Sequence, residues 1–304
     1  MSITRQMIED LRVKMGHTRP LSAPKPIGKI APPPKKIQVK AQEVSEFAVH
    51  AAEHTTALVG IGHVGTRYAT NVVLQFQAEL AVAHEAVDAV LPDGWAESNG
   101  LLGLHTRVTD HHEFLLRPDL GRRLDEKSVS LLKERARKDV DVQVILADGL
   151  SAVACTGAGI SLLNAMIQEC EARGWSVGTP VAAQFSRVWL EDEIGQIVRA
   201  KVCVILLGER PGLGTGDGLS AYMVYQPKIG NTDANRNMMS NIHERGTPPK
   251  LAAKRLAILA GAMLDQKTSG VTLDLSNLIG ELGEAATRAN RAPQKRERLV
   301  EVPK

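Results

Sequence analysis

The sequence contains little cysteine and few aromatic residues, and these shortages exclude several classes of protein. Its 3 cysteines are widely spaced, so they form neither a disulfide framework nor a Cys-x-x-Cys metal site. Aromatic residues make up 3% of the chain, so its core must consist mainly of Val, Leu, Ile and Ala. No apolar run reaches the ~20 residues of a membrane span. The first residues also lack the apolar core of a signal peptide, so we expect a cytoplasmic protein with no membrane partner.

An excess of charge of one sign is also absent, since the formal net charge is +3 at pH 7. This near balance gives no argument for a nucleic-acid-binding protein. Proline and lysine nevertheless alternate in residues 19–45, which contain no aromatic side chain for base stacking. We interpret this stretch as an extended, solvated linker, with a basic nucleic-acid-binding arm as the alternative.

A short amphipathic helix is predicted before this linker, in residues 1–18. Ser2 is a suitable N-cap, Gly16 can end the helix, and apolar residues recur every four positions: Ile3, Met7, Leu11 and Met15. A helix of this length is marginal alone, so we expect it to form mainly against a partner surface.

Beyond residue 125, apolar runs alternate with amphipathic segments. Strands are predicted at residues 140–147, 181–188, 201–207 and 221–225, and helices at residues 128–138, 162–173, 193–199 and 249–264. This alternation implies βαβ units. We therefore predict an α/β fold, with a Rossmann-like, mainly parallel sheet domain in residues 125–275. A small, mostly helical domain is predicted before it, in residues 46–124, and a charged tail after it, in residues 276–304.

The apolar run at residues 201–207 ends abruptly in Gly208-Glu-Arg-Pro-Gly-Leu-Gly214. A continuous run of this kind indicates a strand buried on both faces, and ligands bind at the carboxyl ends of such strands. Glu209 offers an acceptor there and Arg210 a fork of donors. We expect these residues to contact a ligand, although a mutual ion pair that stabilises the loop is the alternative.

Two further segments resemble functional motifs. Gly60-Ile-Gly-His-Val-Gly65 matches the dinucleotide pattern G-x-G-x-x-G, but no second strand follows to complete a βαβ unit. The alternative is a glycine-rich entry to a helical region. Asp110-His-His-Glu113 resembles a metal cluster, but adjacent histidines point in different directions, so we interpret it as a polar surface loop.

No catalytic residue and no metal site are predicted. The sequence has no Gly-x-Ser-x-Gly elbow and no Cys–His arrangement that would mark a nucleophile. Asp148, at a strand end, is either catalytic or hydrogen-bonded within its own turn.

Several motifs occur in one order along the chain: Leu116-Arg-Pro-Asp-Leu-Gly-Arg-Arg-Leu124, Arg187-Val188, Glu191-Asp-Glu-Ile-Gly195, Gly208-Glu-Arg-Pro-Gly-Leu-Gly214, Ser240-Asn-Ile-His243 and Gly246-Thr-Pro-Pro249. Together, over roughly residues 58–273, they resemble the small (light) subunit of ethanolamine ammonia-lyase. The resemblance implies an adenosylcobalamin-dependent enzyme that converts ethanolamine to acetaldehyde and ammonia by a radical mechanism. It also implies that a separate large subunit performs the chemistry, while this chain closes over the coenzyme at the interface.

The family's cobalamin contacts correspond to Val188, Glu209 and Met238, the last at a position where many relatives have cysteine. A corrinoid has apolar faces rimmed by amide side chains, so Val and Met suit the faces and a carboxylate suits the amides. The predicted first helix resembles peptides that direct enzymes into bacterial microcompartments, which implies a shell partner. Two other hypotheses remain open: a dinucleotide-dependent oxidoreductase that uses residues 60–65, and a non-catalytic scaffold.

Overall fold

The computed structural model describes residues 46–54, 59–60, 62–212, 216–278 and 280. The predicted first helix, the Pro/Lys linker and nearly all of the charged tail therefore lie outside the described residues. Within the described ranges, no helix has both the length and the apolar character needed to cross a bilayer.

Six strands form the main sheet, and their bounds are β3 Leu102–His105, β4 Val142–Ala147, β5 Val181–Gln184, β6 Val202–Gly208, β7 Leu219–Tyr225 and β8 Arg236–Ile242. Their order across the sheet is β3-β5-β4-β6-β7-β8. The first four strands in this order pair parallel, and β7 and β8 add two antiparallel pairings at one edge. The predicted α/β fold with a mainly parallel sheet is confirmed.

The helices are α1 Glu46–His54, α2 Thr70–Asp88, α3 Trp95–Ser98, α4 His111–Leu116, α5 Glu126–Arg135, α6 Ala152–Ala154, α7 Ile160–Ala172, α8 Leu190–Val198 and α9 Pro249–Gln266. A π-helical segment, Cys155–Gly159, joins α6 to α7. The starts of two helices follow from local chemistry. The carboxylate of Asp125 caps α5 by accepting from the Ser128 N–H, and proline occupies the first turn of α9.

The core consists of two apolar layers, one on each face of the sheet. Helices α7 and α9 pack on one face through residues such as Leu163 and Leu256, and α5 and α8 pack on the other through Leu132 and Ile194. The strand β6 is buried along nearly its whole length because both layers cover it. This explains why residues 201–207 read as a continuous apolar run rather than an alternating one.

The region predicted to be mostly helical, residues 46–124, contains the long helix α2, but it also contributes a strand to the main sheet. Strand β3 pairs parallel with β5, from Leu102 opposite Val181 to His105 opposite Gln184. The sequence missed this strand because four residues that include Gly103 make no apolar run. It also missed β8, whose exposed and intermediate positions interrupt any apolar pattern.

In its described residues, which exclude residue 61, the glycine-rich segment at residues 60–65 has no dinucleotide-binding turn. It leads into a two-stranded antiparallel hairpin, β1 His63–Val64 and β2 Arg67–Tyr68, which is a separate sheet. Gly65 has a positive φ of 62° at the hairpin turn, where glycine is favoured. The motif precedes every described strand of the main sheet along the chain, so it is not a turn at the carboxyl end of a parallel strand, where a dinucleotide site lies.

Candidate functional site

The strand order creates a crevice at the carboxyl ends of β4 and β6. The chain leaves β4 towards β5 on one side, and it leaves β6 towards β7 on the other. Neighbouring strands whose connections diverge in this way mark the position where open α/β sheets bind ligands. The topology therefore selects this edge of the sheet before any side chain is considered.

A cavity of ≈ 380 Å³ lies at this edge. Its walls come from residues 149–150 after β4, 186–188 after β5 and 207–210 at the end of β6, together with Ser220 and Tyr222 on β7. Four separate segments thus converge on one site. The lining combines apolar side chains with a few polar groups, as is usual for small-molecule sites.

Two glycines allow the loops after β4 and β6 to meet at this cavity. A Cβ atom at Gly149 would collide with the carbonyl oxygen of Gly208, and one at Gly208 would collide with the carbonyl oxygen of Asp148. The Leu150 N–H donates to the Gly208 carbonyl at 3.0 Å, which joins the loops directly. A side chain at either glycine would force them apart and reshape the cavity.

The carboxylate of Asp148 joins the end of β4 to the loop after β5. Its Oδ2 accepts from the Phe185 N–H at 2.7 Å, and its Oδ1 accepts from the Ser186 N–H at 3.0 Å. Burial raises the pKa of Asp148 to about 7, although these backbone donors oppose the rise. The side chain thus positions the loop that carries Val188, because its hydrogen bonds reach beyond its own turn to Phe185 and Ser186. We assign it no catalytic step.

Glu209 connects three strands. Its Oε1 accepts from the Ser220 Oγ on β7 at 2.5 Å and from the Asn241 N–H on β8 at 3.0 Å. Within the described residues, no hydrogen bond reaches the second oxygen, Oε2, and no ion pair joins Glu209 to Arg210. The alternative of a mutual ion pair between Glu209 and Arg210 is therefore not borne out by the geometry. The Arg210 side chain is exposed. Oε2 is available to accept from a ligand.

A β-bulge explains the Ser-Asn-Ile-His motif. The β7–β8 register shifts between Leu219 and Ala221, and Asn241 there has a left-handed φ of 59°. Its side-chain oxygen lies 2.6 Å from Nε2 of the buried His243. Gly246 lies close behind, where a Cβ would collide with the Asn241 carbonyl oxygen. The motif thus holds the Asn241 N–H towards Glu209.

The Arg187-Val188 pair is held by contacts with Phe114 and Gly121. The Arg187 N–H donates to the Gly121 carbonyl at 2.8 Å, and its Nη2 donates to the Phe114 carbonyl at 2.8 Å. The guanidinium also lies 4.0 Å from the centre of the Phe114 ring. These contacts fix the loop after β5, so the half-buried Val188 forms part of the cavity wall.

The three residues implied by the resemblance are not equally placed. Val188 and Glu209 line the same cavity. Met238 does not line it directly, but on β8 it lies opposite Tyr222, which does. Since directly paired residues share one face of a sheet, Met238 extends the wall outward. Its side chain is 50% exposed, so a ligand or partner can cover it.

The Asp110-His-His-Glu113 segment forms a helix start. Asp110 caps α4 by accepting from the Glu113 N–H, and the Glu113 carboxylate accepts from the Thr109 N–H and hydroxyl. Both carboxylates therefore serve the start of this helix, so the segment is a helix N-terminus and not the polar surface loop that we expected. In the part of the chain that the structure describes, no group of three or more His, Cys, Asp or Glu residues could hold a metal ion.

Sequence reasoning missed several residues of this site. Ser220 and Tyr222 line the cavity. The sequence marks them only as two hydroxyl-bearing residues, two positions apart, in a mostly apolar strand. The hydroxyl of Ser186 is buried beside the cavity and has no hydrogen-bond partner among the described residues. An unpaired buried hydroxyl calls for a partner, and a ligand would supply one.

An open α/β sheet places the chain in the α/β class, and the partly polar cavity at its topological switch point is a candidate ligand site. The sequence model of the ethanolamine ammonia-lyase light chain (EutC) matches residues 46–274, and the chain belongs to this family. The match includes every segment that lines the cavity. Family membership makes the chain a lyase subunit of ethanolamine degradation and implies a hetero-oligomer with a large subunit.

Proposed function

We propose that the chain forms part of the adenosylcobalamin site of ethanolamine ammonia-lyase. The enzyme would convert ethanolamine to acetaldehyde and ammonia by a radical mechanism, with catalysis by the large subunit. One observation carries the proposal: Val188 and Glu209, the family's expected coenzyme contacts, line one cavity at the switch point of the sheet. No catalytic residue is assigned to this chain.

The residues present fit a corrinoid. Leu150, Val188 and the ring of Tyr222 offer apolar surface to its faces, while Glu209 and Ser186 offer polar atoms to its amide rim. The unpartnered Ser186 hydroxyl is the most direct sign of a missing partner. The cavity of ≈ 380 Å³ lies near the lower end of the ~300–1,000 Å³ usual for small ligands. A coenzyme as large as cobalamin would extend beyond it, which agrees with a site shared between two chains.

Each residue would have a defined role in binding. Oε2 of Glu209 would accept an amide N–H from the rim, in a charge-assisted hydrogen bond. Val188 and Met238 would exclude water from an apolar face. When bound, the coenzyme supplies the radical chemistry of the reaction. This chain would hold the coenzyme in place and cover it, while the large subunit would hold ethanolamine.

The helix α2 is the surface that we assign to the large subunit. It exposes apolar side chains that include Leu74 (59%), Leu80 (49%) and Val82 (59%). A groove of ≈ 600 Å³ runs between this helix and the loop after β6, where it meets Gly212 and Gly216. Glu209 and Gly212 belong to the same loop, so we propose that a large subunit that covers the coenzyme also contacts this groove. Glu79 and Glu85 line the groove, so the partner should present an apolar surface with basic edges.

The function is tested by co-expression of this chain with its large subunit and measurement of ethanolamine-dependent acetaldehyde with added adenosylcobalamin. We expect activity from the pair and none from this chain alone. Glu209→Ala should weaken coenzyme affinity by about 1–3 kcal/mol, the cost of a lost charged hydrogen bond. Glu244→Ala, which removes an exposed carboxylate on the loop after β8, is the matched control. Equal affinities for the two variants would remove Glu209 from the site, and NAD binding without cobalamin would favour an oxidoreductase.

Encapsulation is a separate proposal that concerns residues 1–18. We propose that the amphipathic stripe of this segment directs the cytoplasmic enzyme into a bacterial microcompartment by helix-in-groove recognition. Deletion of residues 1–18 should leave lyase activity intact and abolish co-purification with shells. Loss of activity with retained encapsulation would contradict this role. A scaffold without coenzyme would instead show shell association and no cobalamin binding.

A further inference from the structure

A buried charge cluster lies next to the candidate coenzyme site. It consists of Arg236, the first residue of β8, and the first-turn residues Glu191 and Asp192 of α8. Their side chains are 2%, 0% and 4% exposed, respectively. The Arg236 Nε lies 3.0 Å from the Glu191 Oε1, and its Nη2 forms an ion pair with the Asp192 Oδ2. Asn231 completes the cluster by donating from Nδ2 to the Asp192 Oδ1 at 3.0 Å.

A buried charge cluster is an inefficient way to stabilise a core, because its charges must be desolvated. Removing charges from water costs several kcal/mol for each ion, and well-packed apolar residues of similar size are often at least as stabilising. Burial raises the pKa of Glu191 well above its usual range and also raises the pKa of Asp192, while Arg236 opposes both shifts. The cost indicates that the cluster has a role in geometry as well as in stability.

The cluster joins the two elements that carry the outer coenzyme contacts. Val188 lies two residues before the start of α8, and Met238 lies two residues after Arg236 on β8. Since alternate residues of a strand point to one face, Arg236 and Met238 share a face of the sheet. Opposite them on β7 are Val224 and Tyr222, in that order. Arg236 is thus two residues along β8 from Met238, which together with Tyr222 extends the cavity wall.

A second contact joins the same two segments. Trp189 Nε1 donates to the Asp233 Oδ1 at 2.7 Å, and the Trp189 ring lies 4.5 Å from the guanidinium of Arg122. Trp189 lies between Val188 and α8, and Asp233 lies just before β8. The chain therefore ties this loop to the start of β8 at more than one point, and Arg236 provides the buried link.

We propose that Arg236 is a positioning residue for the coenzyme: its ion pairs with Glu191 and Asp192 hold the loop that carries Val188 at a fixed distance from Met238. This inference rests on the function proposed above. An arginine suits the role because its guanidinium donates a hydrogen bond to Asp192 while its Nε lies within ion-pair distance of Glu191, whereas a lysine offers a single point charge. Arg236 itself touches neither the coenzyme nor the substrate.

The test uses the complex of both chains and measures its dissociation constant for adenosylcobalamin by equilibrium dialysis, with thermal unfolding of the same preparations. Arg236→Lys keeps the charge and removes the fork, so we expect affinity to fall about tenfold. Asp192→Asn has the shape of the native side chain and should weaken binding in the same direction. Leu256→Val, in the apolar layer on the opposite face of the sheet, is the control: it should lower the unfolding temperature without a change in affinity.

A double-mutant cycle separates positioning from general weakening. If Arg236 acts through Val188, then Val188→Ala should cost less affinity in the Arg236→Lys background than in the native complex. The same Val188→Ala change should be additive with Leu256→Val. Native affinity in Arg236→Lys and Asp192→Asn, or additivity of Arg236→Lys with Val188→Ala, would overturn the inference alone. A native complex that binds no cobalamin would overturn the proposed function as well, so the two failures are distinguishable.

Discussion

Helices α9 and α2 have nearly the same length but opposite surroundings. Helix α9 has 18 residues, nine of which are buried, and α2 has 19 residues, of which only Ala83 and Ala86 are buried. Both are rich in alanine and aliphatic residues, so helix propensity does not separate them. Most helical stability in proteins comes from a packed face, and α2 lacks one within the described residues. The difference teaches that α9 stabilises this chain internally, whereas the apolar surface of α2 is the one that we propose for contact with the large subunit.

The same contrast extends along the molecule. Residues 91–273 contain the buried side chains of both apolar layers and the cavity, whereas the described residues between 46 and 90 expose apolar side chains in two helices and a hairpin. Exposed apolar patches that are larger than those of ordinary monomers mark interaction surfaces. Substitutions in the first region should therefore reduce stability, and those in the second should reduce association.

The largest effect is expected from cavity formation beneath α9. Leu256→Ala removes a fully buried side chain and should reduce the free energy of unfolding by about 2–5 kcal/mol. Leu74→Ala on α2 removes the same atoms from an exposed position and should change it by less than ~0.5 kcal/mol. Urea unfolding of the purified chain measures both. Similar losses for the two variants would break the comparison between the helices.

A smaller loss of stability is expected for a substitution of Asp148, whose carboxylate accepts hydrogen bonds from the loop after β5. At about pH 5, Asp148→Asn should reduce the free energy of unfolding by about 1–3 kcal/mol, because the amide nitrogen cannot accept from a backbone N–H. The fold raises the pKa of Asp148 from its usual 3.8 to about 7, so the contribution of the native group is complete below 3.8 and is lost as pH rises to about 7.

The free energy of unfolding of the native protein should therefore fall between pH 3.8 and about 7. The variant has no titrating group at residue 148, so it should lack this contribution to the pH dependence. The cost of Asp148→Asn should accordingly shrink towards about pH 8. Asp265→Asn, at an exposed position on α9, is the control and should leave the slope unchanged. A cost that grows with pH would contradict the raised pKa.

Substitutions on α2 should have the smallest effect on the free energy of unfolding and a clear effect on association with the large subunit. Leu80→Asp places a charge in the exposed apolar face, where it should leave the unfolding of this chain nearly unchanged. The same change should weaken association with the large subunit about tenfold, since it desolvates an unpaired carboxylate. Val271→Asp is the matched control, because Val271 is 84% exposed and lies on the turn after α9. Equal association of both variants, measured by sedimentation, would exclude α2 from the interface.

Much of the sheet could be predicted because its central strands are covered on both faces. Strand β6 has no polar side chain and β4 has only Gln143, so composition alone marks both strands. Strand β8 could not be predicted in this way. Its Arg236 is buried only because Glu191 and Asp192 neutralise it from a helix far away in the sequence. A buried charge carries no local signal, since its environment depends on tertiary contacts.

The candidate site was predictable in part for a similar reason. The Gly208-Glu-Arg-Pro segment marks a strand end, and the resemblance adds Val188 and Met238. Asn241 contributes through its backbone N–H at a bulge, so its role depends on the register between β7 and β8. Register is fixed by the whole sheet and is not encoded in any one segment.

The connection of Glu209 to two later strands has a consequence for the order of biosynthesis. Its partners Ser220 and Asn241 follow it in the chain, so a nascent polypeptide released only as far as β6 lacks both donors. Translation proceeds from the amino terminus, and folding of a domain accompanies it. Under the proposed function, coenzyme binding at Glu209 would therefore have to wait until β8 has left the ribosome and paired with β7.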